Sequence, residues 1–287
     1  MDRAFVRSHE NFEFTTLKEI IVQLLQNTGY LVDANTTGIA TGFDTIDTIT
    51  KGFQAGELSV VASKPGSGKT AFLLSLLFNI ASKSGKTAGV FSLERSAAQM
   101  FHRMITSETQ QSVQKITAGD IKDSDKETIN TILYTLSKSE IYVDDTPHLT
   151  ENDFHKRCKQ LKNKYGADII FIDGLELLSF PELGDIDDDT KEPHYVLNDI
   201  KKTAKEINLP VVVFSHMSNT TSLNTDAAPS IHNVYDFVPQ TADSIYLIHR
   251  QNPDDKASVI IAQHPNIQEP VLVPLKFIES IDKFVDF

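Results

Sequence analysis

Residues 58–77, LSVVASKPGSGKTAFLLSLL, limit what this chain can fold into more than any other stretch. The run opens on Leu58, Val60 and Val61, apolar and β-branched, which predicts a buried strand. A tight loop follows, Ser63-Lys64-Pro65-Gly66-Ser67-Gly68-Lys69-Thr70. Then Ala71, Phe72, Leu73, Leu74, Leu76 and Leu77 predict a helix that starts near Lys69. Strand, small-residue loop ending in Gly-Lys-Thr and helix together form a phosphate-binding loop in the context its chemistry needs. Gly66 and Gly68 have no Cβ, so main-chain N–H groups can turn inward around an anion. The helix points its positive end at the same anion. Lys69 offers a point charge for β- and γ-phosphates, and the Thr70 hydroxyl can ligate Mg²⁺. Ser63 stands where the usual pattern has its first Gly; a small residue can still make that turn. The competing explanation is a chance Gly-Lys-Thr in a surface turn.

A second signature is Ala167-Asp168-Ile169-Ile170-Phe171-Ile172-Asp173. Its apolar core predicts a buried strand that delivers the Asp173 carboxylate to its C-terminal end. A carboxylate there can hold Mg²⁺, directly or through water. Glu176 follows closely and can either join that site or be solvated. Thr87 to Ser92 predicts another strand, with Glu94 just past its end, where a carboxylate can orient water. The alternative for Glu94 is an acid favoured by the dipole of the next helix. Val211 to Phe214 predicts a fourth apolar strand, ending in Ser215-His216. His216 is a candidate γ-phosphate sensor, or else a lone histidine in a turn.

With 287 residues and 40% hydrophobic content, the chain can bury one large α/β core or two small ones. No stretch reaches the ~18 uninterrupted apolar residues of a membrane span. The N-terminal MDRAFVRSHENFEF has no apolar run and does not read as a secretory signal. One cysteine, Cys158, rules out an intrachain disulfide and fits a reducing compartment, so cytoplasm is the expected location. Net charge is −12, from 27 Lys+Arg against 39 Asp+Glu. Such a chain repels phosphate as a whole, so any nucleic-acid contact must be local, as in a narrow channel.

Leu17, Ile20, Ile21, Leu24 and Leu25 recur at helical spacing and predict an amphipathic helix ahead of the main domain. It can pack on its own core or dock on a neighbouring subunit. Residues 33–39 read as a linker, which divides the chain into an arm with helix, 1–38, and a main domain, 39–287. Helices are expected at 96–109, 123–137, 150–165 and 195–207. Phe154, Cys158, Leu161 and Tyr165 share one face of the third, which makes Cys158 a core residue. A short strand is expected at 141–143. Residues 182–192 form an acidic loop, solvated or else capturing a divalent metal. Residues 217–239 are polar and aperiodic. Strands return at 244–249, 257–262, 271–276 and 283–287. Alternating strands and helices followed by a run of strands predict a mostly parallel sheet with an antiparallel extension.

These stretches together resemble the C-terminal ATPase domain of DnaB-type replicative helicases, within the RecA-like fold of P-loop NTPases. The likeness runs from about Thr15 to the end. It rests on Thr41-Gly42-Phe43-Asp44 with Gly52 to Leu58, Lys64 to Phe72, Phe91-Ser92-Leu93-Glu94 and Ile172 to Leu177. Ala204-Lys205-Glu206 through Val212, Ser215-His216 and Gln240-Thr241-Ala242-Asp243 continue it. A small residue other than Gly commonly opens the phosphate loop in that family, which fits Ser63. The resemblance implies a homo-hexameric ring with ATP at subunit interfaces. It implies that Glu94 activates water, that Lys69 and Thr70 hold phosphate and metal, and that Asp173 supports the metal. It implies that the 17–25 helix docks on the adjacent subunit and that single-stranded DNA passes through the ring, with no membrane partner. The family's separate N-terminal domain, which meets primase, is expected to be absent.

The family pattern is broken at several positions. Gly174 replaces a Tyr-like residue, and Glu176 and His216 replace Gln. Where family members carry a Lys-Gln-Arg-Asn-like run, this chain reads Gln263-His264-Pro265-Asn266. Pro265 cannot act as an arginine finger, a group whose contribution is on the order of 10³ or more in rate. Arg250 matches a family arginine and is the remaining nearby cation. Residues 217–249 contain no Lys or Arg, and the loop after Asp173 is acidic up to Lys191, so side chains there do not grip DNA phosphates. The expected activity is therefore an ATPase of helicase type with slow turnover. The alternative expectation is a nucleotide-dependent assembly or regulatory protein that does not translocate. A third is a filament-forming recombinase of the wider RecA-like group.

Overall fold

The structure, a computed structural model, describes residues 37–147, 149–178, 191–217, 228–250 and 256–287. The predicted helix at 17–25 lies outside the described residues, as do residues 182–190 of the acidic loop and residues 218–227.

Nine strands form one sheet: β1 Leu58–Ser63, β2 Ala88–Ser92, β3 Ile141–Asp144, β4 Ile169–Asp173, β5 Val211–His216, β6 Ser244–Arg250, β7 Lys256–Gln263, β8 Val271–Ile278 and β9 Lys283–Asp286. Their order is β3-β2-β4-β5-β1-β6-β7-β8-β9. Pairing is parallel from β3 through β6 and antiparallel from β6 to β9. The parallel sheet with an antiparallel extension is thus as the sequence predicts.

The unbroken apolar runs have a simple cause: both faces of the sheet are covered. Val60, Ala62, Ile170, Ile172, Val211 and Val213 enter one core. Val61, Ile169, Phe171, Val212 and Phe214 enter the other. On the first face lie α6, Glu151–Tyr165, and α7, Lys191–Ile207. Phe154, Cys158 and Leu161 of α6 and Leu197, Ile200, Ala204 and Ile207 of α7 are buried there. The second face holds α2, Lys69–Leu77, which continues as a π-helical turn, Phe78–Lys83, and α3, Ala97–Thr109. The short α1, Asp44–Thr50, is tied down by Asp47, whose carboxylate accepts the Thr41 and Gly42 N–H groups at 2.7 and 2.9 Å.

Some boundaries differ from expectation. α7 begins at Lys191, so the last two residues assigned to the acidic loop are helical. β6 takes in Arg250, the residue expected to follow it. A six-residue helix, α4 at Val113–Ala118, was not anticipated; it buries no residue, so it leaves no apolar stripe to read. α5, Asp123–Lys138, lies where a helix was expected, and α8, Val238–Thr241, closes the end of the aperiodic stretch.

Candidate nucleotide site

β1 is central, and the chain leaves its C-terminal end toward β2 on one side while β6 pairs on the other. Such a reversal opens a crevice at the carboxyl ends of the strands. The parallel registers bring four strand ends together there: Ser63 opposite His216 and Ser92 opposite Asp173, with Asp173 beside Phe214, so that β5 runs two residues past β4.

The predicted strand, loop and helix are present, the loop of residues 64–68 joining β1 to α2. Ser63 is the last residue of β1, buried and paired with both His216 and Ile248, and it is not among the non-glycine residues with positive φ. That position therefore needs no glycine. Gly68 does: its φ is +94°, and a Cβ there would lie 2.9 Å from the Phe284 ring. Lys64, Pro65, Gly66 and Ser67 form the loop's outer turn, closed by the Ser67 N–H donating to Lys64 O at 3.1 Å. Ala71 lies in the apolar core beneath the loop, so its side chain packs rather than binds.

Lys69 Nζ, 5% exposed, donates to Glu94 Oε1 and stands 3.5 Å from Asp173 Oδ1. β1, β2 and β4 thus deliver one cation and two carboxylates to a single point. Glu94 is not the helix-end acid of the alternative explanation. Helix α3 starts three residues beyond it, after an N-cap at Ser96 that forms a capping box with Gln99, and no acid lies in its first turn. Gly174, with φ +102°, leaves the room: its Cβ would lie 3.1 Å from Glu94 Cγ. A bulkier residue there would press on the carboxylate.

Asp173 is 1% exposed, and neither of its carboxylate oxygens receives a hydrogen bond among the described residues. Burial raises its pKa, Lys69 opposes that, and Glu94 adds to it. A buried carboxylate left short of donors fits a dication. Asp173, with the Thr70 hydroxyl at the start of α2, can hold Mg²⁺. Thr70 is itself 7% exposed.

His216 ends β5, with Nε2 3.5 Å from Glu94 Oε1. Arg250 lies on the other flank. Its Nη1 reaches Gly66 O at 3.5 Å, its guanidinium stacks 3.9 Å above the Phe277 ring, and Nη2 is 3.8 Å from Glu279. It supports the loop from behind. In the His264-Pro265-Asn266 turn, Asn266 donates to Ile49 O and Thr50 O, both at 3.3 Å, which pins the turn to α1.

Neither the role of Glu176 nor the aromatic backing of the loop is settled by the sequence alone. Glu176 accepts from Ser215 Oγ at 2.8 Å and from the His216 N–H. Its spacing of three from Asp173, in a 3₁₀ turn, was the available signal. Phe277 and Phe284 come from the far end of the chain and gave none.

The DnaB-like helicase C-terminal domain family model matches residues 38–286. The chain belongs to this family. It is 31% identical over 285 residues to the replicative DNA helicase DnaC of Bacillus subtilis and 32% identical to the replicative DNA helicase DnaB of Geobacillus stearothermophilus. Each match covers 95% of this chain but 62% of the relative, so the chain spans about three fifths of their length. A solved ATPase domain superposes with a TM-score of 0.85 at 26% identity, covering 96% of this chain and all of that domain. A DnaB-like replicative helicase, described with its interactions with primase, gives 0.81 at 26% identity, covering 96% of this chain and 68% of that one. No described helix is long and apolar enough to cross a membrane.

Proposed function

We propose that this DnaB-like domain binds Mg²⁺–ATP between subunits of a homo-hexamer and hydrolyses it slowly while engaged with single-stranded DNA. The convergence of Lys69, Glu94 and Asp173 at the phosphate loop carries this reading. Ser63 to Ala71 form the main-chain cradle for the phosphates, and Lys69 moves from Glu94 to the β- and γ-phosphates when nucleotide enters. Glu94, released from that pair, orients the attacking water and takes its proton. Bound Mg²⁺, held by Thr70 and supported by Asp173, supplies charge neutralisation across the phosphate oxygens. His216 contacts the γ-phosphate from the β5 side, and Arg250 stiffens the loop. Residues 1–38 serve as arm and linker, with the 17–25 helix docking on the neighbour.

Slow turnover follows from the chemistry. Pro265 cannot donate to a developing negative charge, and Asn266 is occupied with α1. DNA contact falls to main-chain N–H groups, because residues 217–249 carry no Lys or Arg. The decisive experiment measures ATP turnover with and without single-stranded DNA, in wild type and Lys69→Ala. DNA-stimulated turnover lost in Lys69→Ala supports the reading. Equal turnover in that variant overturns the site. Nucleotide-driven assembly without DNA affinity would place the chain in the regulatory class.

A further inference from the structure

On the β4 side, the β5 ladder stops early. The last pair is Asp173 with Phe214, closed by the Gly174 N–H donating to Phe214 O at 3.1 Å. The next parallel bond would join the His216 N–H to residue 174, but β4 has ended and the chain turns into Leu175–Leu177. Glu176 Oε1 fills that place, accepting the His216 N–H and the Ser215 hydroxyl together. The imidazole has little else to hold it. His216 Nδ1 is buried with no hydrogen-bond partner among the described residues, and Nε2 faces Glu94 at 3.5 Å. Its direction is therefore set by its own main chain, which β1 holds on one side, with Ser63 opposite His216 and the Met217 N–H donating to Ser63 O at 3.0 Å, and which Glu176 alone holds on the β4 side.

We propose that Glu176 is a positioning residue. Its carboxylate oxygen caps the end of β5 and so aims the His216 imidazole at Glu94. This rests on reading Glu94 as the group that orients water. A single oxygen accepts both donors, so an amide oxygen at the same place serves equally, whereas a methyl group leaves the His216 N–H without its acceptor on the β4 side, and the strand end is then held by β1 alone. A displacement of about 1 Å near a reacting centre can cost on the order of 10²-fold.

The test is a set of variants in the full chain, with melting curves confirming that each folds. Glu176→Ala is expected to lower kcat about ten- to a hundredfold, with KM for ATP changed less than about twofold, because the phosphate loop is untouched. Glu176→Gln is expected to recover most of kcat. His216→Ala alone and His216→Ala with Glu176→Ala are expected to have the same kcat, since the second change acts only through the first residue. Multiplying losses, or no recovery in Glu176→Gln, would overturn the proposal. A second readout needs no turnover. The ¹⁵N resonance of the His216 imidazole should move on Glu94→Gln in the wild-type and Glu176→Gln backgrounds but not with Glu176→Ala. Equal movement in all three would also overturn it. Turnover that ignores Lys69→Ala removes the hydrolysis reading alone, and the resonance still tests the placement.

Discussion

Asp173 and His264 are both buried titratable groups, and their burial acts in opposite directions. Burial raises the pKa of Asp173, so the metal-free fold favours its neutral form and is penalised when pH rises and the carboxylate ionises. Asp173→Asn is therefore expected to raise the melting temperature of the metal-free protein at neutral pH. Mg²⁺–ATP at a hundred times its Kd should add about 2.7 kcal/mol to the wild type. In a domain of this size that is on the order of 5–10 °C, and it should be largely absent in Asp173→Asn. Thermal melts with and without Mg²⁺–ATP check both statements. Burial lowers the pKa of His264, whose Nδ1 accepts the Asn266 N–H at 3.0 Å. The neutral form is thus the folded one. Its stabilisation is complete above the ordinary histidine value of about 6.5 and is lost as pH falls through the depressed folded value. Between pH 7 and 5 the wild type should lose melting temperature more steeply than His264→Asn, compared in parallel scans.

At the scale of elements, the antiparallel extension acts as the backing of the phosphate loop. Phe284 of β9 meets Phe72 of α2 edge-on at 5.5 Å and Phe277 of β8 at 4.9 Å, and its N–H donates to Ser75 Oγ at 3.2 Å. The same ring closes against Gly68. Phe284→Ala should cost about 3–5 kcal/mol in urea unfolding. It should also weaken binding of a fluorescent ATP analogue, because α2 and Gly68 lose the surface they rest on. Wild-type nucleotide affinity in a folded Phe284→Ala protein would refute that coupling. Most elements were legible in the sequence. Strands buried on both faces write themselves as unbroken apolar runs, and α6 and α7 carry their core residues at helical spacing. α4 and the π-helical turn after Leu77 were not legible. The first buries nothing, and the second depends on how the end of α2 meets its neighbours rather than on composition.

At the scale of the whole molecule, a net charge of −12 must be reconciled with a nucleic-acid partner. If assembly follows the proposed ring, Mg²⁺–ATP should shift the sedimenting species from one copy toward six. Binding of single-stranded DNA, measured by anisotropy across salt concentrations, should give a log–log slope shallower than about 2, because few cations displace counterions. A steep slope would mean that lysines or arginines elsewhere line the path. By itself the sequence determined the strand–loop–helix of the phosphate site, the two carboxylates and the class of sheet. Those rest on local pattern: a glycine-rich turn between a strand and a helix, and acids placed at the ends of apolar runs. Only the tertiary structure decided that Lys69 sits between Glu94 and Asp173, that Glu176 caps β5, and that Phe284 backs Gly68. Each of those joins residues far apart in the chain, and distance along a chain carries no record of which side chains meet once strands take their order in the sheet.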